Sequence, residues 1–178
     1  MKLFIDARYI TPPYPDYIDL HAFKATQGVG WKNSILTEQI SGATEYWLFH
    51  YHLGVADALR QAQWFVSIAG QYSPTELVLD VEDPNASSVG LGTKVRNCLL
   101  EIERLTGKKP ILYTRASYWD YKIGKVSWIN EYRLWLAHYG VRVPRLPLGA
   151  TGYYAHQFMG DVNFPGYNQK VDINVLKD

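Results

Sequence analysis

Three carboxylates stand at the end of a short apolar run in "TELVLDVEDPN", residues 75–85. Alternate residues of a strand point to the same face, so Asp80 and Glu82 share one face, with Cα atoms about 6.6 Å apart. Asp83 opens the turn-forming "DPN", and we expect it to cap that turn rather than to take part in chemistry. The spacing therefore predicts one pair of acids where a buried strand ends.

Paired carboxylates of this kind are suited to glycoside hydrolysis. One acid must be protonated so that it can donate to the leaving oxygen, and the other must stay charged to stabilise an oxocarbenium-like transition state. Crowding raises the pKa of one member of such a pair, which separates the two roles. An isolated Asp-x-Glu is also common among ordinary polar strand ends, so the pair alone does not establish the reaction.

The elements that must position this pair are eight short β-rich runs: "KLFID", "DLHAFKA", "EYWLFHYH", "ELVLDVE", "PILYTR", "RLWLAHY", "GYYAHQF" and "VDINVL". Helical patterns lie between some of them, most clearly in "VADALRQAQWFVSIAG" and "TKVRNCLLEIERLTGKKP" and more weakly in "KNSILTEQISGAT" and "SYWDYKIG". Strands that alternate with helices predict parallel βαβ units, and eight of them predict a barrel.

The length of 178 residues limits that barrel. A complete (β/α)₈ barrel typically needs ~250 residues, so some helices must be absent. The links "YITPPYPDY", "VRVPRLPLGATG" and "MGDVNFPGYNQK" read as loops. We therefore predict an α/β fold, an irregular TIM-like barrel of about eight strands with several helices missing, forming a single catalytic domain over residues 1–178.

Polar residues also end several other predicted strands, and in parallel barrels those ends form the active site. They are Asp6, Lys24, His50, His52, Tyr113, His138 and Gln157. Asp172 differs because it comes early in "VDINVL", so the pattern alone does not place it at the same rim.

The composition excludes some classes of function. The net charge is +1 with no basic run or acidic tail, so neither nucleic acid nor an anionic membrane surface is a predicted partner. The single cysteine, Cys98, permits no internal disulfide and is expected in the core. The chain has six Trp, fourteen Tyr and six Phe, and such rings both fill cores and stack on sugars.

A resemblance to a known family runs in order along nearly the whole chain. The chain is similar to the glycoside hydrolase family 25 lysozymes, the Chalaropsis-type N-acetylmuramidases. "FIDARY" resembles the opening Gly-Ile-Asp-Val-Ser strand of that family, "FKATQG" its Ile-Lys-Ala-Thr-Glu-Gly, and "LVLDVED" its Leu-Asp-Val-Glu. The remaining matches are "YHLG", "TGKKPILYT", "LWLAHY", "HQF" and "VDINVL". Each piece is weak alone, but eight in the right order are specific.

The resemblance implies four active-site acids, at Asp6, Asp80, Glu82 and Asp172. Glu82 would be the general acid/base, Asp80 and Asp172 would stabilise positive charge or position the N-acetyl group, and Asp6 would complete the acidic rim. Retention of configuration is implied, with either the N-acetyl oxygen of the substrate or a protein carboxylate as nucleophile. The residues expected to bind substrate are Tyr51, Tyr113, Trp135, Tyr139, Gln157 and Lys24.

The implied activity is that of a muramidase that cleaves the β-1,4 bond between N-acetylmuramic acid and N-acetylglucosamine in peptidoglycan. We expect a monomer that needs no cofactor and no metal. No signal peptide or transmembrane run is visible, since "MKLFIDARY" enters a strand at once. We therefore expect synthesis in the cytoplasm and action on the cell wall after release, as for a phage endolysin, or export with a leader that has been removed.

Two departures from the family pattern bear on the site. Gln27 stands where Glu is usual, which removes one acid near the cleft. The link "ITPPYPDY" replaces a helix between the first two strands, and we expect it to leave one wall of the barrel open.

Two alternatives remain at this point. His50 and His52 could bind zinc beside carboxylates, as in an amidase that removes the peptide from muramic acid. A non-catalytic glycan-binding barrel is the other, although the presence of all four acids favours catalysis.

Overall fold

A computed structural model describes residues 2–177 of the chain, and the eight predicted strands are confirmed in it. A further two-residue strand, β3, pairs antiparallel with the end of β2 and was too short to predict. The strands are β1 (Leu3–Ala7), β2 (Leu20–Gln27), β3 (Trp31–Lys32), β4 (Glu45–Tyr51), β5 (Glu76–Asp80), β6 (Ile111–Thr114), β7 (Leu134–Ala137), β8 (Ala155–Val162) and β9 (Val171–Leu176).

Eight of these strands close into a barrel in the order β1-β2-β4-β5-β6-β7-β8-β9, with β9 returning to β1. Neighbours are parallel from β1 through to β8, as the βαβ pattern predicts. The expectation of parallel pairing is wrong for β9, which runs antiparallel to both β8 and β1. The link of residues 163–170 is too short for a crossover, so the chain turns straight back.

The helices lie in the middle of the chain, as predicted. They are α1 (Leu36–Ser41), α2 (Ala58–Ala69), α3 (Leu91–Thr106) and α4 (Ala116–Lys122), followed by a 3₁₀ turn over Ser127–Glu131. Asp57 caps the start of α2, where its side chain accepts a hydrogen bond from the Arg60 amide. Gly107 caps the end of α3 with a φ of 70° that glycine adopts without strain. Within residues 2–177, no helix is both long and apolar enough to cross a bilayer.

The link between β1 and β2 contains no helix, as predicted, but it does not leave the barrel open. Ile10 and Ile18 of this link are buried in the outer core, and the Tyr14 ring stacks on His21 of β2. The segment therefore covers the wall that a helix would otherwise cover. The expected opening is wrong because apolar side chains in an irregular segment can bury as much surface as those of a helix.

The core has two layers, because alternate residues of each strand face opposite sides of the barrel wall. Phe4, Trp47 and Trp135 point inwards, and the Phe4 ring lies 4.9 Å from Trp47 and 5.3 Å from Trp135, centroid to centroid. Outward-facing residues such as Ile5 and Leu79 pack instead in the outer core with the helices. The inner rings fill the interior of the barrel. They form a floor beneath its upper end, the end at which the parallel strands have their carboxyl termini.

Candidate active site

A cleft with a volume of about 200 Å³ opens at the upper end of the barrel, above these rings. All four acids that the resemblance implies line it, together with four of the six predicted substrate-binding residues. The lining residues are Asp6, Ala7, Arg8, Lys24, Phe49, Tyr51, Asp80, Glu82, Tyr113, Trp135 and Asp172. Of the strand ends that the sequence marked as polar, Asp6, Lys24 and Tyr113 line this cleft, whereas His50, His52, His138 and Gln157 do not.

Asp172 reaches this cleft because β9 is antiparallel. It comes early in its strand, and in an antiparallel strand the early residues lie level with the carboxyl ends of the parallel neighbours. Asp172 is accordingly the register partner of Asp6. One Asp172 oxygen, Oδ1, accepts a hydrogen bond from the Asp161 amide at 2.6 Å.

Asp6 is buried and held by two amide side chains. Its Oδ1 accepts from Gln157 Nε2 at 2.9 Å and from Asn174 Nδ2 at 2.7 Å. Burial raises the pKa of Asp6 well above its ordinary value, and the charge of Asp172 raises it further, while the two amide donors act in the opposite direction.

Gln157 connects the acids to two tyrosines from beneath the cleft. Its side-chain oxygen accepts from Tyr113 at 2.8 Å and from Tyr139 at 2.9 Å, and its Nε2 also donates to Asp172 Oδ2 at 3.3 Å. Gln157 is only 1% exposed and Tyr139 is 48% exposed, and neither of these two predicted substrate-binding residues lines the cleft. The geometry therefore places Gln157 behind the acids rather than against a sugar.

Asp80 and Glu82 occupy different environments. Asp80 is 6% exposed, and its Oδ1 has no hydrogen-bond partner among residues 2–177. Burial raises the pKa of Asp80 well above its ordinary value, Glu82 raises it further, and Lys24 opposes both. The Glu82 side chain is 21% exposed, and its Oε2 accepts from Arg115 Nη2 at 2.7 Å. One acid is thus desolvated and unpartnered, and the other is oriented and open to water.

Asp83 takes no part in this cleft. Its Oδ1 accepts from the Asn85 amide and its Oδ2 from the Gly54 amide, each at 3.0 Å. The prediction that Asp83 caps the turn is confirmed.

Lys24 lines the same cleft as the four acids and contacts Gln27. Its Nζ donates to Gln27 Oε1 at 2.6 Å and lies 4.2 Å from the centroid of the Tyr51 ring. Burial lowers the pKa of Lys24 to about 8. The neutral Gln27 amide satisfies a donor of this ammonium without neutralising its charge.

Trp135 serves the core and the site together. Its ring is almost fully buried against Phe4 and Tyr113, and its indole N–H donates to Asn174 Oδ1 at 2.8 Å. Because Asn174 in turn donates to Asp6, the aromatic floor fixes the orientation of an acid above it.

With this geometry in place, comparison with known proteins identifies the family. A model of "Glycosyl hydrolases family 25" matches residues 17–167. The chain belongs to this family. One curated relative is the uncharacterized protein YegX of Escherichia coli, to which this chain is 34% identical over 130 residues. The alignment covers 72% of this chain and 46% of YegX. It therefore spans less than half the length of that relative.

Two further comparisons concern muramidases. The chain is 27% identical over 168 residues to the N,O-diacetylmuramidase of Chalaropsis, covering 79% of this chain and 80% of that protein. It superposes on the structure of a muramidase from Acremonium alcalophilum with a TM-score of 0.85 and 24% identity, covering 100% of this chain and 94% of that one. The chain therefore shares its irregular TIM-like barrel with that muramidase.

The zinc alternative does not fit the geometry. His50 and His52 lie on the outward face of the barrel, away from the cleft. His50 is bonded through Nδ1 to Thr26 and through Nε2 to Gln61, and burial lowers the pKa of both histidines. No group of three potential metal ligands occurs within residues 2–177. The pair is a packing element of this family 25 barrel.

Sequence reasoning missed four residues of the site: Arg8, Phe49, Arg115 and Asn174. Three of them had a signal. Arg8 and Asn174 each stand two residues beyond a predicted acid and so share its face, and Arg115 directly follows β6. Phe49 carries no such mark, because an apolar residue in a strand is expected in the core.

Proposed function

We propose that this family 25 chain is a muramidase that hydrolyses the β-1,4 bond between N-acetylmuramic acid and N-acetylglucosamine in peptidoglycan. The observation that carries the proposal is the pairing of Asp80 and Glu82 in one cleft, the first desolvated with an unpartnered oxygen and the second oriented by Arg115. The name of the Chalaropsis relative, an N,O-diacetylmuramidase, supports this substrate. Its place of action is then the cell wall.

Glu82 is the proposed general acid/base. Its partial exposure lets it exchange protons with water, and the bond to Arg115 fixes its direction in the cleft. In the first step its proton passes to the glycosidic oxygen as the bond to the anomeric carbon breaks. In the second step the same carboxylate removes a proton from the attacking water.

Asp80 is proposed to act on the acetamido group of the bound sugar. The unpartnered Oδ1 can accept the amide hydrogen, which turns the carbonyl oxygen towards the anomeric carbon and increases its electron density. Attack by that oxygen on the face opposite the leaving group forms a cyclic intermediate, and water then opens it. Asp172 and Asp6, on the neighbouring side, stabilise the positive charge that develops.

Digestion of purified peptidoglycan, followed by mass spectrometry of the fragments, tests the proposal. New reducing muramic acid ends are expected. Reducing glucosamine ends would mean a glucosaminidase, and freed peptides would mean an amidase. Tight binding to an intact glycan would support the non-catalytic barrel instead.

A further inference from the structure

The Arg8 guanidinium is held at the mouth of the cleft with no acid to neutralise it. Its Cζ lies 4.5 Å from the ring centroid of Tyr9 and 5.1 Å from that of Trp31. Within residues 2–177 its side chain forms no ion pair. An arginine stacked on rings keeps its N–H edges available, and these edges match a carboxylate in bidentate geometry.

The position of this guanidinium is built into the fold. The Arg8 carbonyl accepts from Gln39 Nε2 at 3.1 Å, which fixes the backbone where β1 ends. The Trp31 carbonyl accepts from Trp64 Nε1 at 3.0 Å, which fixes the short β3 strand that presents the ring. A binding group fixed in advance loses little conformational entropy when a ligand arrives.

The local charge makes this side of the cleft cationic. Lys24 Nζ lies 5.5 Å from the same Trp31 ring, so two cations share one aromatic side chain. Gln27, which accepts from Lys24, is neutral and adds no negative charge here. Lys24 donates to Gln27, and the negative charge of Asp80 raises the pKa of Lys24. Arg8 is therefore the cation without a counter-charge on this side.

We propose that Arg8 is a specificity-determining residue that binds a carboxylate on the 3-O substituent of muramic acid. The inference rests on the proposed function. The sugar rings and acetamido groups of the glycan are neutral, so its anionic groups are the lactyl carboxyl of muramic acid and the carboxylates of the peptide attached there. Arg8 and Glu82 line one cavity, so such a group can reach Arg8 while the glycosidic oxygen lies at Glu82.

Steady-state kinetics of Arg8→Gln on three glycans test this role. The substrates are peptide-free glycan with free lactyl carboxylates, the same glycan with those groups converted to methylamides, and peptide-bearing peptidoglycan. We expect kcat/KM to fall about 10- to 100-fold on carboxylate-bearing glycan, the usual scale for losing a charged hydrogen bond. The fall should appear in KM with kcat nearly unchanged, because Arg8 does not touch the reacting atoms. On the methylamide the variant and the wild type should be equal.

The matched control is Arg60→Gln, which removes an exposed arginine from α2, outside the cleft. It should leave all three rates unchanged, and thermal unfolding should show that both variants fold. A loss on peptide-free glycan assigns the lactyl carboxylate as the ligand, and a loss on peptide-bearing glycan alone assigns the peptide. Equal kinetics of Arg8→Gln and wild type on every substrate overturn the inference while the muramidase stands. A wild type that cleaves none of them overturns the proposed function instead.

Discussion

Asp6 and Asp172 face each other as register partners across the antiparallel pair of β1 and β9, and a single amide, Gln157 Nε2, donates to both. Two carboxylates this close repel each other when both are charged. The shared donor offsets part of that repulsion, and burial favours the protonated form of each. The pKa values of both aspartates are therefore raised above their ordinary value, and the hydrogen bond from Gln157 limits this shift for Asp6.

Gln157→Leu should weaken both this arrangement and the fold. It leaves Asp6, Asp172 and two tyrosine hydroxyls short of a partner, so we expect a loss of about 1–3 kcal/mol in the free energy of unfolding. The Gln157 hydrogen bond lowers the pKa of Asp6, so its removal should raise that pKa further. The acidic limb of the kcat/KM profile should then move to higher pH. If the rate fell but the acidic limb of the kcat/KM profile did not shift, Gln157 would contribute to packing and not to the pKa of Asp6.

Replacement of the proposed proton donor gives the most direct result. Glu82→Gln keeps the size and the Arg115 contact of the side chain but cannot donate a proton, so kcat should fall about 10²–10⁴-fold or more. The readout is the release of reducing ends from peptidoglycan. Glu38→Gln, on the exposed face of α1, is the matched control and should retain full activity. If Glu82→Gln lysed cell walls at a near-normal rate, Glu82 would not be the proton donor.

Much of this site followed from residue periodicity. Alternation along β5 placed Asp80 and Glu82 on one face, and the polar strand ends included Asp6 and Lys24, whereas the full set of four acids was implied by the resemblance to family 25. The strand pattern could not place Asp172 at the cleft, because the end of the barrel that it reaches depends on the direction of β9. That direction is set by the short link before β9 and not by the residues of the strand. The role of Gln157 was hidden for a related reason: its four partners come from four different segments that meet only in the fold.

Asp80→Asn should lower activity severely and yet stabilise the protein at neutral pH. The pKa of Asp80 is raised in the folded state, so the favourable contribution of its proton is complete below the ordinary value of 3.8 and is lost as pH rises through the folded pKa. Asn carries no such charge. Its gain over wild type should therefore be small near pH 3.5 and larger at pH 7.

Thermal unfolding at these two pH values measures that gain. Asp16→Asn, at an exposed position in the link between β1 and β2, is the control and should give equal stability to wild type at both. If Asp80→Asn were less stable than wild type at pH 7, the charged carboxylate would be a stabilising group, contrary to its buried and unpartnered position.

Gln27→Glu restores the usual acid of the family and tests the state of Lys24. A carboxylate in place of the amide oxygen, 2.6 Å from Nζ, favours the charged ammonium, so the pKa of Lys24 should rise above its value of about 8. NMR titration of lysines labelled with ¹³C at Cε follows this group directly. An unchanged midpoint in the variant would mean that Lys24 does not keep its contact with residue 27 in solution.

The stereochemical outcome follows from the proposed role of Asp80. If the acetamido oxygen of the substrate attacks the anomeric carbon and water then displaces it, configuration inverts twice, so the first product should be the β anomer. A substrate without the N-acetyl group at the cleaved sugar should react far more slowly, because it lacks the nucleophile that Asp80 orients.

Proton NMR of the anomeric signal, read before mutarotation, distinguishes the mechanisms. Initial α product would mean that water attacks directly and that the cleft holds it between two carboxylates. β product with undiminished cleavage of the de-acetylated glycan would mean that a protein carboxylate is the nucleophile, and the unpartnered Asp80 Oδ1 would then be the oxygen in position to attack. β product that depends on the N-acetyl group leaves Asp80 as the residue that orients it, and Asp80→Asn should then slow the acetylated substrate far more than the de-acetylated one.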